Sequence, residues 1–501
     1  MSTEHDPAAR LKTVLDVAKA MISERDLDSL LQLILREATQ VVDADRGSLF
    51  LVDPRTGELW AKIAQGLAVG HEIRVPPGVG LAGHVAATCQ PLNLPDAYAD
   101  SRFNRDVDRD TGYHTRSLLC VPMTNMRGES VGVIQVLNKR SGVFDAADAD
   151  LLMALAGQAG VAIENALLHV EIQQLFEGFV KGAVVAIESR DPTTAGHSER
   201  VARLTLGLCD AVERHGLGRW KGLKFSAEQR MEIRYAALLH DFGKVGVRER
   251  VLVKANKLYP EQMQLIEQRF AYAKKANQVE SLHRQLTLMR MGAPVADLQA
   301  EEASLVEHER RLDRWLEIIH ESNKPTVLPG GYFHGLTQVH QEQILDVSGR
   351  LQPLLTAEEV ALLSIPKGTL SADERAEIES HVSHTWRFLN EIPWTRNLQR
   401  VPEIAYGHHE KLNGNGYPRG LHDSEIKVEP RMMAIADIYD ALTASDRPYK
   451  KAVPHDLALQ ILDDEAQRQH LDSELLEVFI SERVAQAVAE ADSPVPRAKM
   501  T

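Results

Sequence analysis

The spacing of apolar residues changes several times along this chain, and each change marks a different element. Leu30, Leu31, Ile34, Leu35 and Val41 recur at helical spacing. Two strand-like runs follow, Arg46 to Val52 and Glu58 to Ile63, on either side of a PRTG turn. Val131 to Leu137 (VGVIQVL) reads as a buried strand, and Ala146 to Leu168 returns to helical spacing. The pattern predicts an α+β domain over residues 27–168, with helices packed on an antiparallel sheet. A short helical segment at 1–26 precedes it.

Across the expected boundary, Val161, Asn165, Leu168, Ile172, Leu175, Phe179 and Gly182 advance in steps of four and three. This stripe suits a short parallel coiled coil over 161–184 that would join two copies of the chain; a helix packed on its own domain is the alternative. Residues 185–255 and 365–490 are largely helical in pattern, with an insertion at 256–364 between them. Inside it, two helix-period segments, 261–290 and 296–322, flank Gly292, Ala293 and Pro294, which predicts an antiparallel helical hairpin. Lys324 to Gly335 reads as a loop, and 491–501 as a flexible tail. The string KLYPEQMQLIEQRF reappears loosely as TLSADERAEIESHV, Leu258 answering Leu370, Ile266 answering Ile378 and Glu267 answering Glu379, each 112 positions on (370 − 258). Duplication and a chance likeness of two amphipathic helices both account for it.

Composition narrows the class. A chain of 501 residues exceeds one ordinary core, so several domains are expected. No uninterrupted apolar run approaches the roughly 18 residues that suggest a membrane span, and MSTEHDPAARLKTVLDVAKA lacks the apolar core of a secretory signal. The expectation is a cytoplasmic protein with no membrane span. Cys89, Cys120 and Cys209 have no CxxC spacing, so a metal would need other ligands. A net charge of −14 argues against a nucleic-acid partner.

The chain has 20 histidines, and several stand in pairs or beside aspartate. His240 and Asp241 end the apolar run YAALLHDFGKVGV; Lys244 follows four residues after the histidine, on the same face if the helix continues. His408 and His409 are adjacent in HHEKLNGNGYP, and Asp437 lies in MAIADIYDALTASDRPYK. Any one of these histidines alone reads as an ordinary buried imidazole. Together, His197, His240, Asp241, His381, His408, His409 and Asp437 offer nitrogen and oxygen ligands without a thiolate, a set suited to iron or manganese. Adjacent helical residues diverge by about 100°, so the two neighbouring histidines suggest two divalent ions, a pairing suited to phosphoryl displacement. GxxxxGK[ST] is missing, so Gly414 and Gly416 read as a tight loop and not as an ATP cradle.

With these strings in view, residues 185–255 and 365–490 resemble an HD-GYP domain, the subgroup of HD phosphohydrolases that acts on cyclic di-GMP. HDFGKVGV and HHEKLNGNGYP are its two signature strings, and RDPTTAGHSERVA resembles its opening segment. The resemblance implies an all-α catalytic domain that hydrolyses cyclic di-GMP to pGpG and/or GMP. His197, His240, Asp241, His381, His408, His409 and Asp437 would be its ligands, Asp241 bridging. Lys244 would contact the scissile phosphate as a catalytic group, while Tyr417, Arg447 and Lys450 would bind substrate. Members with three ions have a glutamate where this chain has Thr193, so two ions are expected. A receptor that binds without turnover, or an HD phosphohydrolase for another nucleotide, are the rival readings. The insertion lies outside the resemblance and could take a protein partner.

Residues 27–168 resemble a GAF domain of the type found in cyclic-nucleotide phosphodiesterases, on RFNRDVDRDTGYHTRSLLCVPM and NKRSGVFDAADADLL. Asn138, Lys139, Phe144 and Asp148 match the NKFDE motif, with Ala149 in place of its glutamate. The resemblance implies support for a small-ligand pocket, with a cyclic nucleotide as one ligand. A GAF domain that only dimerises is the alternative.

Overall fold

The computed structural model describes residues 16–24, 26–64, 74–191, 195–325, 331–346, 348–444 and 452–492. The chain divides into two compact units, Met1–Gly178 and Phe179–Thr501, ten residues beyond the expected boundary at 168. Of the N-terminal segment, residues 16–23 are helical; the expected flexible tail lies outside the described residues, apart from its first two positions.

The first unit is an α+β fold. Strands β1 (Ala44–Val52), β2 (Leu59–Ala64), β3 (Arg74–Val75), β4 (Leu92–Leu94), β5 (Leu118–Thr124) and β6 (Ser130–Lys139) form one sheet in the order β3-β2-β1-β6-β5-β4. All its pairings are antiparallel. Because side chains alternate along a strand, Leu49, Leu51, Val121, Ile134 and Val136 pack under α1 (Leu27–Val41), while Phe50, Cys120 and Val133 face the opposite side. That second face is covered by α2 (Gly80–Thr88), through Leu81 and Val85. Both faces are therefore covered, and β5 is apolar and buried from Leu118 to Met123.

Helix α3 runs from Ala146 to Arg190, so the helix that closes the first domain and the connecting helix expected over 161–184 are one continuous element. By length and composition it is apolar enough to cross a membrane, as a buried core helix also can be. Scattered polar residues such as Gln158, Glu164 and Asn165 interrupt its apolar positions. Its N-terminal half packs on the sheet through Leu152, Leu155, Ala159 and Ile163. Leu168, Ile172, Leu175 and Phe179, by contrast, are 48–75% exposed, so packing on the helix's own domain does not account for this part of the stripe.

The second unit is mostly helical: α4 (His197–His215), α5 (Ala227–Leu239), α6 (Pro260–Arg290), α7 (Val295–Asn323), α8 (Gly331–Gln341), α9 (Ala357–Leu363), α10 (Ala372–Asn390), α11 (Val401–Tyr406), α12 (Val428–Thr443), α13 (His455–Gln467), α14 (Ser473–Ser481) and α15 (Val484–Asp492). Helices α6 and α7 are the expected hairpin. Gly292 turns it with φ +71°, and Pro294 caps the return helix. The proposed loop at 324–335 is corrected, since α8 begins at Gly331. A two-stranded hairpin, β7 (Gln343–Leu345) and β8 (Leu351–Pro353), completes the insertion.

The insertion has its own core of Ile266, Phe270, Leu312, Ile319, Leu336 and Leu354, among others. Its ends are stitched together. Asn323 accepts hydrogen bonds from the Lys257 and Leu258 N–H groups, and buried Lys257 donates to the Leu363 carbonyl at 3.1 Å. The two similar strings open helices α6 and α10, again 112 positions apart (372 − 260). Ser371 and Glu374 cap the second start reciprocally, whereas at the first only half of that arrangement forms, the Gln262 side chain accepting from the Tyr259 N–H.

Truncating Ile319→Ala should cost about 2–5 kcal/mol in this satellite core. Hydrogen exchange should accelerate across α6 and α7, with metal content unchanged.

Candidate metal centre

The seven proposed ligands come from five chain segments and meet in one buried site. His197 opens α4, His240 and Asp241 follow the last turn of α5, His381 lies within α10, His408 and His409 follow α11, and Asp437 lies within α12. Three groups have ligand atoms within 4.8 Å of one another: His197, His240 and Asp437; His240, Asp241 and His408; and His381, His408 and His409. Asp241 stands between two sides, one oxygen 3.5 Å from His240 Nε2 and the other 3.3 Å from His381 Nε2.

Local backbone geometry aims the imidazoles. The Nδ1 atoms of His240, His381 and His408 lie 2.7, 2.6 and 2.6 Å from the carbonyls of Ala237, Ile378 and Ala405, each three residues earlier. A carbonyl only accepts, so each Nδ1 must carry the proton, which leaves Nε2 as a lone pair. All three Nε2 atoms are buried without a hydrogen-bond partner. Each unmatched group costs about 1–3 kcal/mol. Convergent buried lone pairs beside two carboxylates are what a divalent cation would satisfy, so the donors present fit a metal centre.

The charges fit the same picture. Burial favours protonation of Asp241, but Lys244, His240 and His381 together hold its carboxyl well below the usual range. For Asp437 burial again acts upward and His197 leads the opposing effects, so this carboxyl is also lowered. Burial pushes His408 well down and His409 to about 3, leaving both neutral and able to ligate. His197 differs. Burial would lower it, yet Asp437 and Asp440 raise it to about 9.

Two geometric premises need correction. Lys244 does not share a continuing α-helix with His240, because α5 ends at Leu239 and a 3-10 turn spans Phe242–Gly246. That turn still brings the ammonium 2.8 Å from Asp241 and 3.4 Å from Asp191. His408 and His409 likewise lie beyond α11, with ring centroids 4.0 Å apart, and share one ligand group with His381. Helical divergence therefore does not separate them.

Several contributing residues escaped the sequence reading. Thr385 accepts from the Gly243 N–H at 2.8 Å and donates to the His240 carbonyl at 2.9 Å, tying the His-Asp turn to α10. Asp191 holds Lys244, and Asp440 with Arg200 brackets His197. Asp440 follows Asp437 by one helical turn and Arg200 follows His197 by three residues, spacings that could have flagged both. Tyr417 was anticipated, and its ring centroid lies 4.8 Å from that of His409. Its loop is held by buried Glu410, which accepts from the Arg419 and Leu421 N–H groups. A Cβ on Gly416 would lie 2.3 Å from Lys411 N, so the loop requires glycine there. Arg447, Lys450 and Thr193 lie outside the described residues.

In the first unit, Asn138 braces the sheet. Its carbonyl oxygen accepts from the Arg116 and Ser117 N–H groups, and its amide donates to the His114 carbonyl. Lys139 pairs with Asp148, and Phe144 is buried on the face that carries α1 and α3. A cavity of about 450 Å³ opens on the other face, lined by Phe50, Arg74, Gly80, Arg102, Phe103 and Gln135 among others. None of the four motif residues lines it. They support the sheet behind it.

The GAF domain family matches residues 26–163, and HD domain families match residues 194–324 and 348–475. This chain carries an N-terminal GAF domain followed by an HD-type domain. A probable 3',5'-cyclic phosphodiesterase, pde-5, of Caenorhabditis elegans is 38% identical over 174 residues, which are 32% of this chain and 24% of that one. A dual 3',5'-cyclic-AMP and -GMP phosphodiesterase 11 of Drosophila melanogaster is 35% identical over 176 residues, 32% of this chain and 12% of that one. The match thus spans less than a quarter of each relative's length. Among solved structures, the GAF domain of a phosphoenolpyruvate-protein phosphotransferase from Coxiella burnetii is 24% identical, with 33% of this chain and 99% of that one covered and a TM-score of 0.31. A GAF domain/HD domain protein from Geobacter sulfurreducens is 18% identical, with coverages of 30% and 98% and a TM-score of 0.25.

A side chain at Gly243 in the HD domain would place Cβ 1.8 Å from the His381 carbonyl oxygen and 2.5 Å from Thr385 N. Gly243→Ala should therefore displace α10 and lower bound metal by at least half, as measured by elemental analysis of the purified protein.

Proposed function

We propose that this protein is a metal-dependent phosphodiesterase that hydrolyses cyclic di-GMP to pGpG and/or GMP, under control of its GAF domain. The observation that carries the reading is the convergence of seven nitrogen and oxygen ligands, three of them partnerless buried Nε2 atoms, beside the ammonium of Lys244. Two divalent ions, iron or manganese, would supply Lewis acidity and activate water for attack on phosphorus. His197, His240, Asp241, His381, His408, His409 and Asp437 would hold them.

Lys244 adds a fixed positive charge at the site. Burial alone would favour its neutral form, but Asp241 and Asp191 outweigh burial and keep it charged, suited to hold a phosphate oxygen. Tyr417 presents an aromatic face beside the histidines that a guanine base could stack upon. The GYP string around Tyr417 is the reason to favour cyclic di-GMP over other cyclic nucleotides.

The GAF cavity falls within the usual range for small-ligand sites, about 300–1,000 Å³. Relatives named as cyclic-nucleotide phosphodiesterases support a cyclic nucleotide as its ligand. The exposed stripe of Leu168, Ile172, Leu175 and Phe179 supports a homodimer through α3. The insertion, with a separate core, is a candidate surface for a protein partner. A cytoplasmic location completes the proposal.

Anaerobically purified protein should carry two ions per chain and cleave cyclic di-GMP. Asp241→Ala should lose metal and activity together, whereas Lys244→Met should keep its metal and lose about 10²–10³ in kcat. A metal-loaded wild type that binds cyclic di-GMP without cleaving it would make the receptor reading the better one.

A further inference from the structure

We infer that Asp440 is a positioning residue that makes the two metal positions unequal, so that the position built on His197, His240 and Asp437 takes the first ion. This rests on the two-ion reading above.

The evidence is in how each imidazole is backed. The Nδ1 atoms of His240, His381 and His408 meet neutral main-chain carbonyls. His197 Nδ1 meets a carboxylate instead, 2.7 Å from Asp440 Oδ2. Asp440 is itself held. Arg200 Nε donates to Oδ1 at 2.6 Å, and a second Arg200 nitrogen donates to Oδ2 at 3.1 Å. The Asp440 side chain is only 5% exposed, so its charge acts on His197 with little screening.

A carboxylate behind an imidazole fixes its tautomer, orients the ring and strengthens the opposite nitrogen as a donor. His197 Nε2 faces inward, 3.2 Å from Asp437 Oδ1. One position therefore combines an anionic ligand with a carboxylate-backed imidazole. The His381, His408 and His409 group offers three imidazoles, two of them backed by carbonyls, beside Asp241, whose Oδ1 lies 3.3 Å from His381 Nε2; a carboxylate thus stands at both positions, and the backing of His197 by Asp440 is what sets them apart. Asp437 and Asp440 lie one turn apart on α12, so a single helix supplies both the ligand and the backing group.

The test is a manganese(II) titration of the metal-stripped full-length protein, with free ion followed by electron paramagnetic resonance. The wild type should bind two ions in two resolved steps. Asp440→Asn should weaken the first step about 10- to 100-fold and leave the second within about twofold. Circular dichroism and the melting temperature of the stripped protein check folding. If Asp440→Asn does not fold, Arg200→Gln carries the test: it leaves the carboxylate but loosens its clamp, and should weaken the first step alone, by a smaller factor. Steps that weaken together, or no change in either, would overturn the inference while leaving two ions in place. A wild type that takes up one ion only would overturn the two-ion reading itself.

Discussion

The HD domain is organised around electron pairs that have nothing to bind within the protein. His240, His381 and His408 each commit one ring nitrogen to a carbonyl of their own local backbone and leave the other buried without a donor. Such an arrangement is costly in an empty interior and favourable around a cation. The other devices at the site serve the same constraint. Thr385 ties the His-Asp turn to α10, and Lys244 balances Asp241. Glu410 fixes the loop that brings Tyr417 to the histidines.

This arrangement explains how the chain tolerates a long insertion between two of its ligands. His240 and His381 are separated by the hairpin and its associated elements, yet the insertion leaves and returns through adjacent strands of chain. Its ends are joined by Asn323 and Lys257, and its apolar residues are satisfied in a core of their own. Loop closure is inexpensive when the inserted segment folds as a unit. Lys254 and Tyr259 on the entry side both meet Glu374 at the start of α10, so the exit is anchored before His381 is reached.

The GAF domain solves a different problem. Its sheet is covered by α1 and α3 on one face and by α2 on the other, where the cavity opens beside the helix. The residues that match the NKFDE motif work behind the sheet: Asn138 satisfies backbone donors at a strand end with φ +53°, and the Lys139–Asp148 pair ties β6 to α3. The missing glutamate at Ala149 leaves these contacts intact. Ala149 packs at the edge of the apolar core instead.

Of the candidate metal ligands, His240 with Asp241 and His408 with His409 were legible because His-Asp and His-His are local strings whose chemistry is carried by residue type. The helical hairpin was legible because Gly292, Ala293 and Pro294 interrupt an otherwise unbroken helical period. The connecting helix was legible in its heptad stripe, although it runs on to Arg190, past the expected end at 184. By itself, the sequence determined the two fold classes and the hairpin, encoded in periodicity and short-range spacing, and supplied seven candidate ligands by residue type. Only tertiary structure decided that His408 and His409 share a ligand group, that Asp191 holds Lys244, and that Asp440 backs His197 from 243 positions away. Those pairings depend on how separate helices pack, and no local pattern specifies which carboxylate comes to face which imidazole.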